Sequence, residues 1–345
     1  MFTISEPKPF KVLGIGEVML RLSPTGKERI SYSETFEKRA GGSELNVVSG
    51  ISMLGLRTGI VTKLPKNEIG KFIKHKIRFA GTSDDYIVYD DSPSRRLGVY
   101  YYEGGAYPRL PVVSYDRGDS SITTFKRCEL PDSVYDRAEV FHTSGITLAL
   151  CAELRREVVD MMKEFHRRGA LISFDVNYRA ALWDEKCAKE TIESILPYID
   201  ILFISEETSR RMFGRTGDLK EIHRSFAKEY PNLEVIASTK RTIISPQKHT
   251  FTSLIYDCRE DRHFEEAPYE NIDVVDRIGS GDAYVAGALY ALLAHGTIDA
   301  AVKYGNAMAA LKNTIPGDMT VCDLQDIERI IASHCDDGPK SEMIR

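Results

Sequence analysis

Two spacings of apolar residues alternate along this chain, and the switches between them mark out its elements. Between residues 139 and 257 short, almost unbroken apolar runs alternate with segments whose apolar positions recur every third or fourth residue. The runs at 140–144, 171–176, 199–204 and 235–238 predict strands buried on both faces. The periodic segments at 152–168, 184–196 and 219–229 predict helices, with a short one ending near Phe213. In the first of them Leu154, Val158, Met161 and Phe165 form one stripe, and Gly169 supplies the stop. Apolar strands separated by amphipathic helices indicate a mostly parallel sheet covered on both sides. Ligands of such sheets collect beyond the carboxyl ends of the strands. That points to three stretches: Ser144-Gly145-Ile146, Asp175 to Arg179, and Ser205-Glu206-Glu207.

The flanking regions differ. Residues 11–19 predict a short strand, and Gly14 and Gly16 do not make a dinucleotide fingerprint because Met19 occupies the third glycine position. Residues 21–38 are polar and extended, with a turn at Pro24 and Gly26. A helix at 45–54 stopped by Gly55, a strand at 58–64 and a helix at 68–80 stopped by Gly81 follow. Residues 94–124 are extended again, with tyrosine-rich runs at 97–102 and 111–117. The segments at about 20–38 and 95–124 are expected to form a small sheet over one face of a single domain spanning 1–335. Beyond Ser238 the pattern predicts short antiparallel strands at 242–245, 250–257 and 262–265, a strand or loop at 272–278, and helices at 283–294, 298–313 and 322–333. The polar end, 336–345, is expected to fray.

Composition narrows the function classes. With 345 residues and 42% hydrophobic content the chain can bury a large core, and a net charge of -5 without a long basic run argues against nucleic acid. No stretch has the roughly 18 apolar residues of a membrane span, and residues 1–11 lack a secretory apolar run, so a cytoplasmic protein is expected. Six scattered cysteines and eight scattered histidines suggest neither a disulfide framework nor a zinc site. His142, in an apolar strand, reads as a core residue rather than a ligand.

The chemistry concentrates at Gly279-Ser280-Gly281-Asp282, just before the apolar helix at 283–294. Glycines allow a tight turn whose N–H groups converge, and a helix start adds partial positive charge, which together suit an anion. Asp282 beside such a hole could accept a proton from an attacking hydroxyl, or could simply cap the helix. Upstream, Ala40-Gly41-Gly42-Ser43 leads into a helix whose first turn carries Asn46, either an exposed residue or a group aimed at a polyhydroxyl ligand.

The chain resembles the ribokinase-like (PfkB) carbohydrate kinases over nearly its whole length, and among them the 2-keto-3-deoxygluconate kinases. The residues that carry the resemblance are Gly41-Gly42 with Asn46, Asp276-Arg277-Ile278-Gly279-Ser280-Gly281-Asp282, Ser173 to Arg179 with Leu182-Trp183, Tyr115-Asp116-Arg117, His142 to Thr147, and Lys312 to Asp318. It implies a three-layer α/β/α fold with a mostly parallel central sheet and a small β-sheet lid. It also implies an ATP- and Mg²⁺-dependent transfer to the terminal hydroxyl of 2-keto-3-deoxygluconate, with Asp282 as base and Gly279, Ser280 and Gly281 as the anion hole. Arg179, Arg117 and Tyr115 are implied at the acid end of the substrate, with Tyr100, Gly42, Asn46 and Ile146 completing its pocket. A carboxylate favours a planar, bidentate cation, which gives the two arginines a physical reason; a surface ion pair is the other reading of either.

For the nucleotide the resemblance implies Asn177, Ser205, Thr239, Lys240, Gly279, Gly281, Asn306 and Ala310. Many relatives carry N-x-x-E for Mg²⁺, whereas this chain has Ser205-Glu206-Glu207-Thr208, leaving Glu207, through water, as the metal-side residue. The alternatives are a kinase of fructose, ribose or 2-keto-3-deoxygalactonate, or a catalytically weak sugar-acid binding protein that kept the fold. A homodimer through the lid is the oligomer the resemblance suggests, with no nucleic-acid or membrane partner.

Overall fold

The computed structural model describes residues 7–335. The expected fraying of 336–345 lies outside them. In chain order the strands are β1 (Phe10–Ile15), β2 (Met19–Pro24), β3 (Phe36–Gly41), β4 (Thr58–Pro65), β5 (Ser83–Asp90), β6 (Gly98–Glu103), β7 (Val112–Asp116), β8 (Ala138–Ser144), β9 (Leu171–Asp175), β10 (Ile201–Phe203), β11 (Val235–Ser245), β12 (Lys248–Asp257), β13 (Arg262–Glu265) and β14 (Tyr269–Asp273). The helices are α1 (Ser43–Met53), α2 (Glu68–Phe79), α3 (Gly145–Ala149), α4 (Ala152–Arg167), α5 (Glu185–Ile195), α6 (Glu206–Arg211), α7 (Leu219–Glu229), α8 (Ser280–Ala294), α9 (Ile298–Thr314) and α10 (Leu324–Cys335).

The large sheet runs β13-β12-β11-β10-β9-β8-β1-β4-β5, with β14 also on β12. From β5 to β11 every pairing is parallel, and those of β12 are antiparallel. Two cores flank it, giving the three layers. One packs Leu45, Val48 and Ile51 of α1 with Ile73 and Ile77 of α2 and the apolar α8 and α9. The other packs the predicted stripe of α4 with Ile192 of α5 and with Ile222 and Phe226 of α7, and Phe165 stacks on Phe141 of β8 at 4.2 Å between ring centroids. His142 is fully buried beside Ser173, Nδ1 to Oγ 3.0 Å, and burial pushes its imidazole down to about 3, as suits a neutral core residue.

A second sheet, β3-β2-β6-β7, stands off the core. Its β7 is exposed along its length, while Met19, Tyr100 and Tyr102 on its underside pack with Ile278, just before α8. Arg21 pins it down. This buried guanidinium donates to Asp276 Oδ2 at 2.6 Å and Asp318 Oδ1 at 2.8 Å, and Asp318 also accepts from the Tyr100 hydroxyl. Residues 121–124 depart from the expected lid: they form a 3-10 turn whose Ile122 sits in the main core.

Further elements differ from the sequence expectation, among them the short helix α3, whose five residues are too few to show a period and whose start is capped by Ser144. β5 was not expected, because its sequence, SDDYIVYD, has no clean apolar alternation; it is an edge strand paired on one side with β4. The runs at 235–238 and 242–245 are one strand, buried over its first four residues and exposed from Thr239 onward as it leaves the core. Helix α8 begins at Ser280 rather than Ala283, so Ser280, Gly281 and Asp282 form its first turn.

Candidate active site

A cleft of about 1030 Å³ lies at the carboxyl ends of the parallel strands, between the lid and the starts of α1 and α8. Helix α8 places its key residues. Gly279 caps it with φ 83°, a left-handed conformation that favours glycine, and a Cβ there would lie 2.1 Å from the carbonyl oxygen of Asp318. The Ser280 N–H bonds back to the Arg277 carbonyl at 3.3 Å, and the amides that follow it in the first turn of this long helix are left to an anion in the cleft. Gly42 does the same for α1: φ is 152°, and a Cβ would meet the Glu17 carbonyl at 2.3 Å.

Asp282 does not cap its helix. Its Oδ1 accepts from Ser43 Oγ at 2.8 Å and its Oδ2 from Asn46 Nδ2 at 2.7 Å, both from the first turn of α1. Ser43 and Asn46 are three residues apart and so share one helix face. Asn177, held at φ 33°, donates from Nδ2 to Ser43 Oγ at 3.2 Å, which extends the chain of contacts behind the carboxylate. Burial raises the Asp282 carboxyl above its ordinary value, and the Asn46 and Ser43 hydrogen bonds and the nearby Arg179 charge pull it back. Asp175 is pushed up to about 7, first by burial and then by the Asp282 charge. Glu44, also raised by burial, is enclosed by Ser144 and Thr147. The result is one oriented carboxylate at the foot of an anion-binding helix start, suited to taking a proton from a hydroxyl while the amides hold a phosphoryl group.

The remaining predicted residues divide. Tyr100, Tyr115, Arg117, Ile146 and Arg179 line the cleft with Gly42 and Asn46. Arg179 is exposed and, among the described residues, makes no ion pair; Nη1 reaches the Tyr178 carbonyl at 3.3 Å. Arg117 is different, because its guanidinium is engaged by the buried carboxylate of Glu17, and the Tyr100 hydroxyl is held by Asp318. Thr239 lines the cleft, but Lys240 does not: side chains alternate along β11, so Ala237, Thr239, Arg241 and Ile243 face the cleft and Lys240 faces away. Asn306 and Ala310 are likewise corrected. Both are buried in the core, where Asn306 donates to Glu266 at 2.9 Å.

A protein-built Mg²⁺ site does not fit these residues. Ser205 Oγ caps α6 by accepting from the Thr208 N–H at 3.1 Å. Glu206 pairs with Arg210 at 2.6 Å, and Glu207 is exposed, 3.6 Å from Arg211. Among the described residues no cluster of three or more His, Cys, Asp or Glu side chains is placed to hold a metal.

Spacing on α1 could have revealed Ser43, three residues before Asn46. Arg277 stands in the motif that ends at Asp282 but takes no role from it, whereas Glu17 and Arg241 gave no local signal, because only the fold brings them to the cleft.

Comparison with known proteins gives the family. The model of the pfkB family of carbohydrate kinases matches residues 10–324. A 2-dehydro-3-deoxygalactonokinase of Haloferax volcanii is 34% identical over 321 residues, 93% of this chain and 96% of its own. A 2-dehydro-3-deoxygluconokinase of Bacillus subtilis is 28% identical, over 83% of this chain and 84% of its own. The crystal structure of a 2-dehydro-3-deoxygluconokinase from Thermotoga maritima superposes with a TM-score of 0.89 at 32% identity, covering 94% of this chain and 98% of that one. A carboxylate aimed by α1 at the start of α8, beneath a lid sheet, is thus set in a chain that belongs to the pfkB family of carbohydrate kinases.

Proposed function

We propose that this kinase transfers the γ-phosphoryl group of ATP to the terminal hydroxyl of a 2-keto-3-deoxy sugar acid, with 2-keto-3-deoxygluconate as first choice. Asp282 takes the hydroxyl proton as the oxygen bonds to phosphorus, and the bond from phosphorus to the bridging oxygen breaks to release ADP. The first N–H groups of α8 face the charge on the transferred group. Positioning and charge stabilisation carry most of such a reaction, so the base need not be a strong one. Mg²⁺ would come with the nucleotide phosphates and neutralise part of their charge.

The observation that carries the acid preference is Arg179, an unpaired guanidinium at the end of β9 on the same cleft as Asp282. A neutral sugar offers it only single hydroxyl acceptors, whereas a carboxylate matches both the charge and the planar fork. Arg117 is a secondary contact, since Glu17 already neutralises it. The likeness to the Haloferax volcanii protein favours a second reading, in which 2-keto-3-deoxygalactonate is the better acceptor. ADP release with Mg²⁺-ATP and 2-keto-3-deoxygluconate, 2-keto-3-deoxygalactonate, fructose and ribose tests both. Turnover on the two acids is expected to exceed that on the neutral sugars; equal or better turnover on fructose or ribose would refute the acid pocket.

A further inference from the structure

Two arginines of the cleft have no part in the account above. Arg241 is the third cleft-facing residue of β11, opposite Phe251 of β12. Arg277 lies two residues before Gly279, where the chain passes beneath the lid. Among the described residues neither forms an ion pair or a side-chain hydrogen bond, although this protein pairs most of its other arginines.

They are close to one another. Burial lowers the Arg241 guanidinium from its ordinary value, and the Arg277 charge is the next cause. His249, buried on β12 across from Ile243, is lowered to about 4 by burial and then by these same two charges. It stays neutral at physiological pH and so adds no third charge. Among the described residues no carboxylate forms an ion pair with either. Two like charges held together without a counter-charge are unfavourable until an anion enters between them.

The anion is not the acid end of the acceptor. Arg179 follows β9, two strands from β11 and so about 10 Å away across the sheet. The charge that acts on Asp282 and Asp175 is that of Arg179, whereas Arg241 and His249 feel Arg277. The cleft therefore holds two separate cationic centres, and the Gly279 turn adjoins the second. Mg²⁺ arriving with the nucleotide would neutralise only part of a polyphosphate's charge, which leaves protein cations to meet the rest.

We propose that Arg241 and Arg277 form a clamp for the terminal phosphates of the nucleotide donor, a contact that rests on the kinase reading above and extends it. Planar guanidiniums suit this task because each can give two parallel N–H bonds to phosphate oxygens. On the same cleft as the α8 amides, they hold the β- and γ-phosphates while Asp282 receives the acceptor.

Calorimetric titration of adenosine, AMP, ADP and Mg²⁺-ATP into the wild-type chain, Arg241→Gln and Arg277→Gln tests the clamp. Each variant is expected to weaken ATP and ADP about tenfold or more while adenosine and AMP stay within about twofold. The melting-temperature increase caused by 2-keto-3-deoxygluconate should be unchanged in both. Arg277→Lys, which keeps the charge and loses the fork, should fall between, and it provides the reading should Arg277→Gln fold poorly. Unaltered ATP affinity in a protein that binds ATP would overturn the clamp alone. An equal loss for adenosine, or a loss confined to the sugar acid, would also overturn it. A wild-type chain that binds no adenine nucleotide would overturn both the clamp and the kinase reading.

Discussion

Asn46→Ala is the sharpest test of how the base is built. The Asn46 amide donates to Asp282 Oδ2 at 2.7 Å, and it is the largest of the influences that hold the Asp282 carboxyl down against burial. Alanine is at home in a helix, and only a small polar group is lost from α1, so the fold should survive. A hydrogen bond to an ionised group contributes about 1.5–3 kcal/mol. Each 1.4 kcal/mol is a factor of ten, so the ionised form of Asp282 becomes about ten- to hundredfold less favoured. The sign follows: Asp282 must be ionised to accept a proton, the lost donor stabilised the ionised form, and the variant therefore needs a higher pH to work. In a coupled ADP-release assay from pH 5 to 9, kcat/KM of Asn46→Ala should fall about ten- to hundredfold on the acid side and approach wild type as pH rises. The residual deficit at high pH measures lost orientation. An acid limb that coincides with wild type, with activity retained throughout, would refute the claim that Asn46 tunes the base.

Other predictions test separate parts. Arg179→Ala should change stability by no more than about 0.5 kcal/mol, since the side chain is exposed, yet raise KM for the keto-deoxy acids about tenfold or more with little effect on neutral sugars; a uniform loss across acceptors would contradict the carboxylate contact. Gly279→Ala sets a Cβ against the Asp318 carbonyl and forces a left-handed alanine, so a loss of about 2–4 kcal/mol in urea unfolding is expected together with loss of turnover. Burial pushes Asp200 up to about 7 from 3.8, while its Oδ2 accepts from the Ile172 N–H at 2.7 Å. Its native form thus holds its proton more tightly than the unfolded chain, and the stability it contributes is full below about pH 4 and lost as pH rises through about 7. Asp200→Asn should flatten the decline in melting temperature between pH 5 and 7.5, raising it by about 2–4 °C at the upper end; an unchanged slope would count against this assignment.

The fold was legible because burial wrote itself into the chain. The strands from β8 to β10 are apolar on both faces and α4, α5 and α7 carry clear stripes, so a two-sided parallel sheet followed from pattern alone. What was not legible lies where burial changes within an element or never becomes complete. β11 looked like two strands because it passes from core to solvent at Thr239, and β5 is an edge with mixed exposure. The site divides in the same way. Gly279 to Asp282 could be picked out because a glycine turn before a helix has a local signature. That Asp282 meets Ser43 and Asn46, more than two hundred residues earlier, is a property of the tertiary fold. Lys240 was misplaced for want of the strand's register: one residue of shift reverses the face on which a side chain lies. Asn306 and Ala310 were assigned to the cleft by resemblance, and burial in α9 removes them from it.

The central claim is that Asp282 is the base of a phosphoryl transfer to a sugar acid. Its most direct test is Asp282→Asn, assayed for Mg²⁺-ATP-dependent ADP release on 2-keto-3-deoxygluconate and 2-keto-3-deoxygalactonate, alongside the thermal shift each acid produces. Asparagine fits the same space and can still meet Ser43 and Asn46, but it cannot take a proton. The account predicts that kcat falls about 10²- to 10⁴-fold while the acid-induced rise in melting temperature persists. Turnover within tenfold of wild type would contradict it, because the proton would then leave the acceptor by another route.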